Sequence, residues 1–299
     1  MTGAYIPPGF DAVVKQEHTD YGKEECLIYK SVSAYENYCN VGEDIQNGQI
    51  LIPAGTLIQP FHLGLLASCG IDTVEVIASL KVAILTSGSE LNPLGNELEY
   101  GKIYNSIGYI LQGTLYKQGI KVVACEQCED DELKLSQCLT AMLEKADFVI
   151  TTGGISVGEK DLLPSVLASM QGKLVFARAN IQPGAPTQAW LVQDKPILCL
   201  SGNPYAAYAN FELYFWEAAA KFLACNELKV EVRSAILKHT VTKNFRHRRL
   251  LRGAFEDGYV TIPESKHLAS AISDLNSCNC FVEVNPEQSL AAGQKVTIR

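Results

Sequence analysis

The sequence predicts an α/β fold: a central doubly wound, mostly parallel sheet domain, flanked by an incomplete N-terminal β/mixed region and a small C-terminal β domain. Three observations lead there. From Lys81 onward short apolar runs alternate with stretches of helical spacing. Those runs are apolar without a break, as strands buried on both faces are. Beyond Lys229 the helical periodicity stops, and short strand-like pieces separated by Gly, Pro and Asn take over. The expected domains are residues 1–78, 79–224 and 225–299.

In chain order, Thr2 to Val14 places a Pro-Pro-Gly turn and a strand over residues 11–14 close to the first Met, with nothing ahead for that strand to pair with. A segment upstream is therefore expected to be missing. Residues 26–32 read as a second strand, 40–45 as a loop, and 49–52 and 56–58 as extended pieces around Pro53-Ala54-Gly55. Pro60 to Cys69 reads as a helix, with Pro at its start and Gly70 beyond its end. The regular part begins with a strand at 81–86. A helix at 106–118 follows, with Ile107, Ile110, Leu111 and Leu115 on one face and Gly119 closing it. Strand 122–124, helix 131–145, strand 148–150, helix 162–170, strands 174–176 and 197–200, and a helix from Tyr205 to about Leu223 complete the alternation. Strands separated by helices of this length imply βαβ units in a parallel sheet. The last region offers strands at 230–238, 247–256, 258–262, 281–284 and 295–298.

Composition narrows the function classes. Over 299 residues, 47% are hydrophobic, enough to bury more than one core. Lys and Arg number 25 against 33 Asp and Glu, a net charge of −8, which argues against nonspecific nucleic-acid binding and against an anionic membrane surface. No apolar run approaches the ~18 residues of a membrane span, and the start does not read as a secretory signal, so a cytoplasmic location is expected. The ten cysteines are expected as thiols. Cys125-Glu126-Gln127-Cys128 superficially suits a redox pair or half a zinc site, but its only close companion is Cys278/Cys280 at C-x-C spacing, so packing is the better reading. Arg246 to Arg249 with Arg252 form a basic spot, either a solvated strand face or a contact to an anion.

Four loops fall at the expected carboxyl ends of sheet strands: Thr86 to Leu91, Thr151 to Asp161, Gln182 to Thr187, and Ser201 to Pro204. Open α/β sheets bind ligands at that end. Each loop contains Gly, which lets backbone amides approach an oxyanion, and the second and fourth precede helices whose N-termini favour negative charge. Plain turn geometry accounts for any single one of them. Neither a P-loop nor a G-x-G-x-x-G fingerprint is present. The acids near the loops are Glu90, Asp130, Asp131, Glu159 and Asp161. Carboxylates beside a phosphate cradle repel the ligand unless a hard cation sits between, so their coexistence points to Mg²⁺. Helix N-capping is the competing role for Asp130, Asp131 and Asp161.

At these loops the chain resembles the molybdopterin molybdenumtransferase family, which includes MoeA and the E domain of gephyrin. The resemblance is carried by Thr152-Gly153-Gly154-Ile155-Ser156-Val157-Gly158 with Asp161, Ser87-Gly88-Ser89-Glu90-Leu91, Gln182-Pro183-Gly184-Ala185-Pro186 and Ser201-Gly202-Asn203-Pro204. Thr2-Gly3-Ala4, Asp11 to Val14, Gly42-Glu43-Asp44-Ile45 and Pro53-Ala54-Gly55 fit in the same order. It implies a MogA/MoaB-like molybdopterin-binding domain at the centre. It also implies that the chain inserts molybdate into adenylated molybdopterin, with Mg²⁺-dependent hydrolysis of the adenylate and release of AMP and molybdenum cofactor.

By position, the resemblance makes Glu90, Asp130 and Asp161 the catalytic acids, with Glu90 and Asp161 on the metal. Thr152, Gly153, Gly154, Ser156 and Gly158 become the pterin and phosphate cradle, and Pro183, Gly184, Ser201, Gly202, Asn203 and Pro204 the molybdate site. Thr2 and Asp44 resemble pterin-site residues that a homodimer contributes from its neighbouring subunit. The departures are Ser89 for Asp, Gln182 and Ala185 for lysines, Ser201 for Pro, and Asn105-Ser106-Ile107 for Asp-Ser-Asn. Together with the expected missing segment they motivate a second reading, a noncatalytic molybdopterin-binding or scaffolding paralogue. The glycine loops alone would also allow a generic nucleotide-binding α/β protein.

Overall fold

The computed structural model describes residues 2–155, 162–242, 245–264 and 267–299. They form two compact units, one of residues up to 54 with 58–72, the other of residues 55–57 with 73–299. The first unit is built mainly of turns. A 3-10 turn spans Gln16–His18, an isolated bridge joins Thr19 to Ile28, and α1 (Pro60–Ser68) starts at a proline, where the missing N–H costs nothing. The strands expected at 11–14 and 26–32 do not form. Val13 N–H reaches Glu36 O at 3.1 Å and Tyr35 N–H reaches Asp11 O at 2.6 Å, but no ladder continues from these bonds. Residues 49–52 and 56–58 likewise form no strand, and Gly48 and Gly55 beside them have φ of +81° and +84°, which turns the chain.

The second unit begins with the sheet. Its elements are β1 (Lys81–Ser87), the short pair β2 (Leu91–Asn92) and β3 (Ile103–Tyr104), α2 (Ile107–Lys117), β4 (Lys121–Cys128), α3 (Glu132–Lys145), β5 (Phe148–Thr152), α4 (Leu163–Ser169), β6 (Lys173–Phe176), β7 (Gln188–Val192), β8 (Lys195–Leu200) and α5 (Pro204–Phe222). The six-stranded sheet runs β4-β1-β5-β8-β7-β6. Pairing is parallel from β4 to β8, whereas β7 is antiparallel to both β8 and β6. β7 is absent from the sequence expectation. It joins β8 through a two-residue hairpin whose turn residues, Gln193 and Asp194, have φ of 52° and 60°.

Helices cover both faces, as unbroken apolar strands require. Leu135, Leu139 and Met142 of α3 and Leu163, Val166 and Leu167 of α4 pack on one face with Leu85 and Val149. On the other, Leu111 and Leu115 of α2 and Phe211, Phe215 and Trp216 of α5 pack with Ile84 and Ile150. Each large apolar side chain buried this way contributes about 1.5–3 kcal/mol. Cys125 and Cys128 both lie on β4. An odd offset along a strand sends them to opposite faces, so they form no dithiol and no half-site for zinc.

The remaining strands, β9 (Arg233–Leu237), β10 (Arg249–Glu256), β11 (Tyr259–Thr261), β12 (Cys280–Val284) and β13 (Lys295–Ile298), close a barrel in the order β10-β11-β9-β13-β12. All five correspond to expected strands. Leu237, Val260, Val282, Val284, Val296 and Ile298 fill the barrel. It packs on α5 through Tyr205, Ala209, Leu250 and Phe281, and the Tyr205 hydroxyl donates to Leu250 O at 2.8 Å. Among the described residues no helix is long and apolar enough to cross a membrane.

Candidate active site

β1 and β5 are neighbours, yet α2, which follows β1, lies on one face and α4, which follows β5, lies on the other. The crevice at their carboxyl ends is therefore a topological switch point, where such sheets bind ligands. Three strand ends meet there in a stack. Gly153, at φ +88°, lies so close to the end of β1 that a Cβ on it would sit 2.2 Å from Ser87 O and 3.0 Å from Ser87 Oγ. Only glycine fits. Gly153 N–H is bonded to Leu200 O at 3.0 Å and Ser87 Oγ donates to Thr152 O at 3.4 Å, which locks the ends of β1, β5 and β8 together. Beyond them, a Cβ on Gly202 would lie 3.5 Å from Gly153 Cα, so the fourth loop rests on the second. Gly154, at φ +63°, faces Ser87 Oγ as well.

The acids separate by role. Glu90 is exposed, with its carboxylate folded over Gly88: both oxygens lie 2.6 Å from where a Cβ on that glycine would be. The carboxylate has no hydrogen bond or ion pair with a described residue, while the Glu90 backbone oxygen accepts Ile103 N–H at 2.9 Å. Asp130 accepts the Ser89 N–H at 3.1 Å and so ties the Glu90 loop to the end of β4. Helix capping, open to either acid in the sequence, falls to Asp131 alone, which accepts Lys134 N–H at 2.8 Å at the start of α3. Asp161, Ser156 and Gly158 lie outside the described residues. Thr2 and Asp44 are exposed residues of the first unit.

The loop carrying Pro183 and Gly184 lies against the start of α5. Asn210 Nδ2 donates to Pro183 O at 2.8 Å and Ala206 O at 2.9 Å, and a Cβ on Gly184 would meet that same nitrogen at 2.0 Å. On its other side, Gln182 N–H donates to Arg248 O and Leu250 N–H to Gln182 O, both at 2.9 Å, and the Gln182-Pro183 peptide is cis. Ser201 Oγ accepts Asn203 N–H at 3.2 Å, and Pro204 opens α5. One expectation fails here: the N-terminus of α5 is not open to an anion. Tyr205 and Ala206 N–H both donate to Ala269 O, at 2.9 and 3.2 Å, because a segment before β12 packs against that turn. Gly202 N–H has no acceptor among the described residues.

The basic spot also divides. Arg252 is fully buried, stacked 4.1 Å from the Tyr205 ring, bonded to Ala271 O and 3.5 Å from Asp274, so it is a strut of the fold. Arg248 pairs with Glu283. Arg249 stands in register with Gln182, lies over the Phe245 ring at 4.9 Å, and keeps its Nε without a hydrogen-bond acceptor among the described residues. Burial lowers its affinity for the proton. Two contributors to the site are missing from the residues expected at sequence level. Ser87 sits inside a quoted motif without an assigned role, and Asn210 was detectable as a lone polar residue within the apolar stripe of α5.

Known proteins agree with this geometry. Residues 83–221 match the family model described as a probable molybdopterin binding domain, and residues 1–70 match the MoeA N-terminal region, domains I and II. The molybdopterin molybdenumtransferase of Staphylococcus aureus strain COL is 32% identical over 302 residues, covering 100% of this chain and 72% of the relative. That of Staphylococcus epidermidis strain ATCC 12228 is 33% identical over 285 residues, covering 94% and 68%. Among solved structures, the molybdopterin biosynthesis MoeA protein from Pyrococcus horikosii superposes with a TM-score of 0.81 at 28% identity, covering 96% of this chain and 71% of that one. The fold shared with the solved structure and the similarity along the whole sequence agree: the chain belongs to the molybdopterin molybdenumtransferase family of molybdenum cofactor biosynthesis.

Proposed function

We propose that this chain inserts molybdate into adenylated molybdopterin, hydrolysing the adenylate and releasing AMP and molybdenum cofactor. The observation that carries the proposal is the stack of Ser87, Gly153 and Gly202 at the switch point with the Glu90 carboxylate, unpaired among the described residues, beside it. A strand end that leaves no room for a side chain at Gly153 suits the close approach of a phosphorylated ligand to the backbone.

An exposed carboxylate without a partner among the described residues suits a hard cation, and Mg²⁺ is commonly held by one or two carboxylates plus substrate phosphate. Glu90, with Asp161, would hold it. When bound, Mg²⁺ supplies neutralisation of the phosphate charge and polarisation of its oxygens. Asp130, bonded to Ser89 N–H, keeps the Glu90 loop facing the cradle formed by Thr152, Gly153 and Gly154. Ser156 and Gly158, outside the described residues, share the pterin-binding role in this reading. Pro183, Gly184 and the Ser201 to Pro204 turn take the molybdate. Arg249 supplies a cation beside Gln182, offsetting part of what the loop lacks with Gln182 and Ala185 in place of lysines. A cytoplasmic homodimer, with Thr2 and Asp44 reaching the neighbouring subunit's pterin, completes the proposal.

The test is AMP release and cofactor formation from adenylated molybdopterin, Mg²⁺ and molybdate. No turnover above a Glu90→Ala control would sink it. The neutral Gln182 and Ala185 favour one competing reading, a noncatalytic molybdopterin-binding paralogue; tight pterin binding without molybdate-dependent turnover would support that instead.

A further inference from the structure

Apart from the strand-end site, a cleft of about 540 Å³ opens between α2, α5 and the barrel. Ile110 and Thr114 line it from α2, Tyr208 and Glu212 from α5, and Leu275 and Phe281 from the barrel side. None of its lining residues belongs to the strand-end site. Small-molecule sites typically enclose about 300–1,000 Å³ and combine apolar walls with a few convergent polar groups. Here the walls are aromatic and aliphatic, with the Tyr208 and Phe281 ring centroids 6.0 Å apart.

Glu212 sets the chemistry. Its carboxylate receives the Trp216 Nε1–H at 3.0 Å and lies beside the Tyr208 hydroxyl, both neutral groups. It makes no ion pair among the described residues. The charged and titratable groups facing it are few. Lys117 at the end of α2 acts only through space, Arg299 is occupied 3.2 Å from Glu283, and burial raises the Cys278 and Cys280 thiols on the barrel side, which keeps them neutral. Burial accordingly pushes the Glu212 carboxyl up to about 7. A carboxylate in that position is neutralised by a proton or by a cation entering from solvent. A metal ion is the poorer choice, because no group of three His, Cys, Asp or Glu exists among the described residues.

We propose that this cleft is a second binding site, for a small flat organic cation such as an aromatic amidine or amine, with its charged nitrogen on Glu212 and its ring against Tyr208 and Phe281. The proposal does not depend on the transferase reading. Benzamidine is a suitable probe, since it stays cationic at every pH used and its binding then reports the state of Glu212.

By calorimetry on the full chain, benzamidine should bind about tenfold more tightly at pH 8 than at pH 6, as expected for competition with one proton near neutrality. Glu212→Gln should remove that pH dependence and weaken binding at least tenfold at pH 8. Thr114→Tyr, which fills the cleft and leaves Glu212 in place, should abolish binding, so the proposal survives even if Glu212→Gln folds poorly. Neutral benzamide should show no pH dependence. Equal affinity at the two pH values, or unchanged binding by both variants, would overturn the proposal. So would loss of benzamidine binding in Glu90→Ala, which would put the cation at the strand-end site.

Discussion

Gly153→Ala tests whether the glycine stack is a requirement of the fold. The new Cβ would start 2.2 Å from Ser87 O, so it must retreat about 0.8 Å to reach the 3.0 Å below which such contacts essentially never occur. The carbonyl it meets is backbone at the end of β1, and the preceding pair, Thr86 with Thr152, is already in register, so neither side yields freely. Holding Ala at φ +88° costs about 1–3 kcal/mol. Moving it also breaks the Gly153 N–H bond to Leu200 O or the Ser87 Oγ bond to Thr152 O, at about 1 kcal/mol each. The sum is roughly 3 kcal/mol of lost stability, readable as a lower urea midpoint with an unchanged slope. Gly202→Ala is the matched comparison. Its Cβ meets nothing closer than 3.5 Å, so stability should change by less than about 0.5 kcal/mol while ligand turnover falls. A Gly153→Ala protein as stable as the parent would refute the reasoning.

Three further outcomes follow from the same coordinates. Glu212 has its carboxyl raised from 4.5 to about 7, so the folded chain binds more protons than the unfolded one between those values; stability should fall as pH rises through that window, by about 3 kcal/mol, and level off above it. Urea titrations across pH 4–8 should show this component in the parent and lose it in Glu212→Gln. Asp131→Ala should cost about 1 kcal/mol through the lost cap and leave turnover intact, whereas Asp130→Asn should keep stability within about 0.5 kcal/mol and reduce AMP release, because a weaker neutral acceptor replaces the charged anchor of the Ser89 to Glu90 loop. Arg249→Ala should weaken the dependence on molybdate about tenfold or more in steady-state assays, with Arg249→Lys intermediate, since a lysine keeps the charge but loses the planar fork.

Much of the fold was legible because buried parallel strands announce themselves. Val82 to Leu85 and Phe148 to Ile150 are apolar throughout, and α3 keeps Leu135, Leu139 and Met142 on one side. β7 escaped because its hairpin uses Gln193-Asp194 at positive φ, where the usual Asn-Gly signal is absent. The N-terminal strands were overread: residues 11–14 and 26–32 have strand-like composition, but pairing depends on a partner strand that local sequence does not reveal. In the site, the glycines were visible and the hydrogen bonds were not. Nothing local in the Ser201 to Pro204 turn indicates that Ala269 will occupy the first amides of α5, or that of two adjacent aspartates Asp131 caps and Asp130 anchors.

The loop bearing Pro183 and Gly184 is gripped twice, by Asn210 on α5 and by the Arg248 to Leu250 segment leading into β10. Both grips are encoded after the loop, the second much later. During synthesis the ribosome therefore releases the sheet and its glycine stack first, then a helix that holds one side of the loop, and only near the end the strand that holds the other. A nascent chain halted between α5 and β10 would carry the glycine stack beside a half-fastened loop, so the second grip arrives with the barrel and is among the last contacts the growing chain acquires.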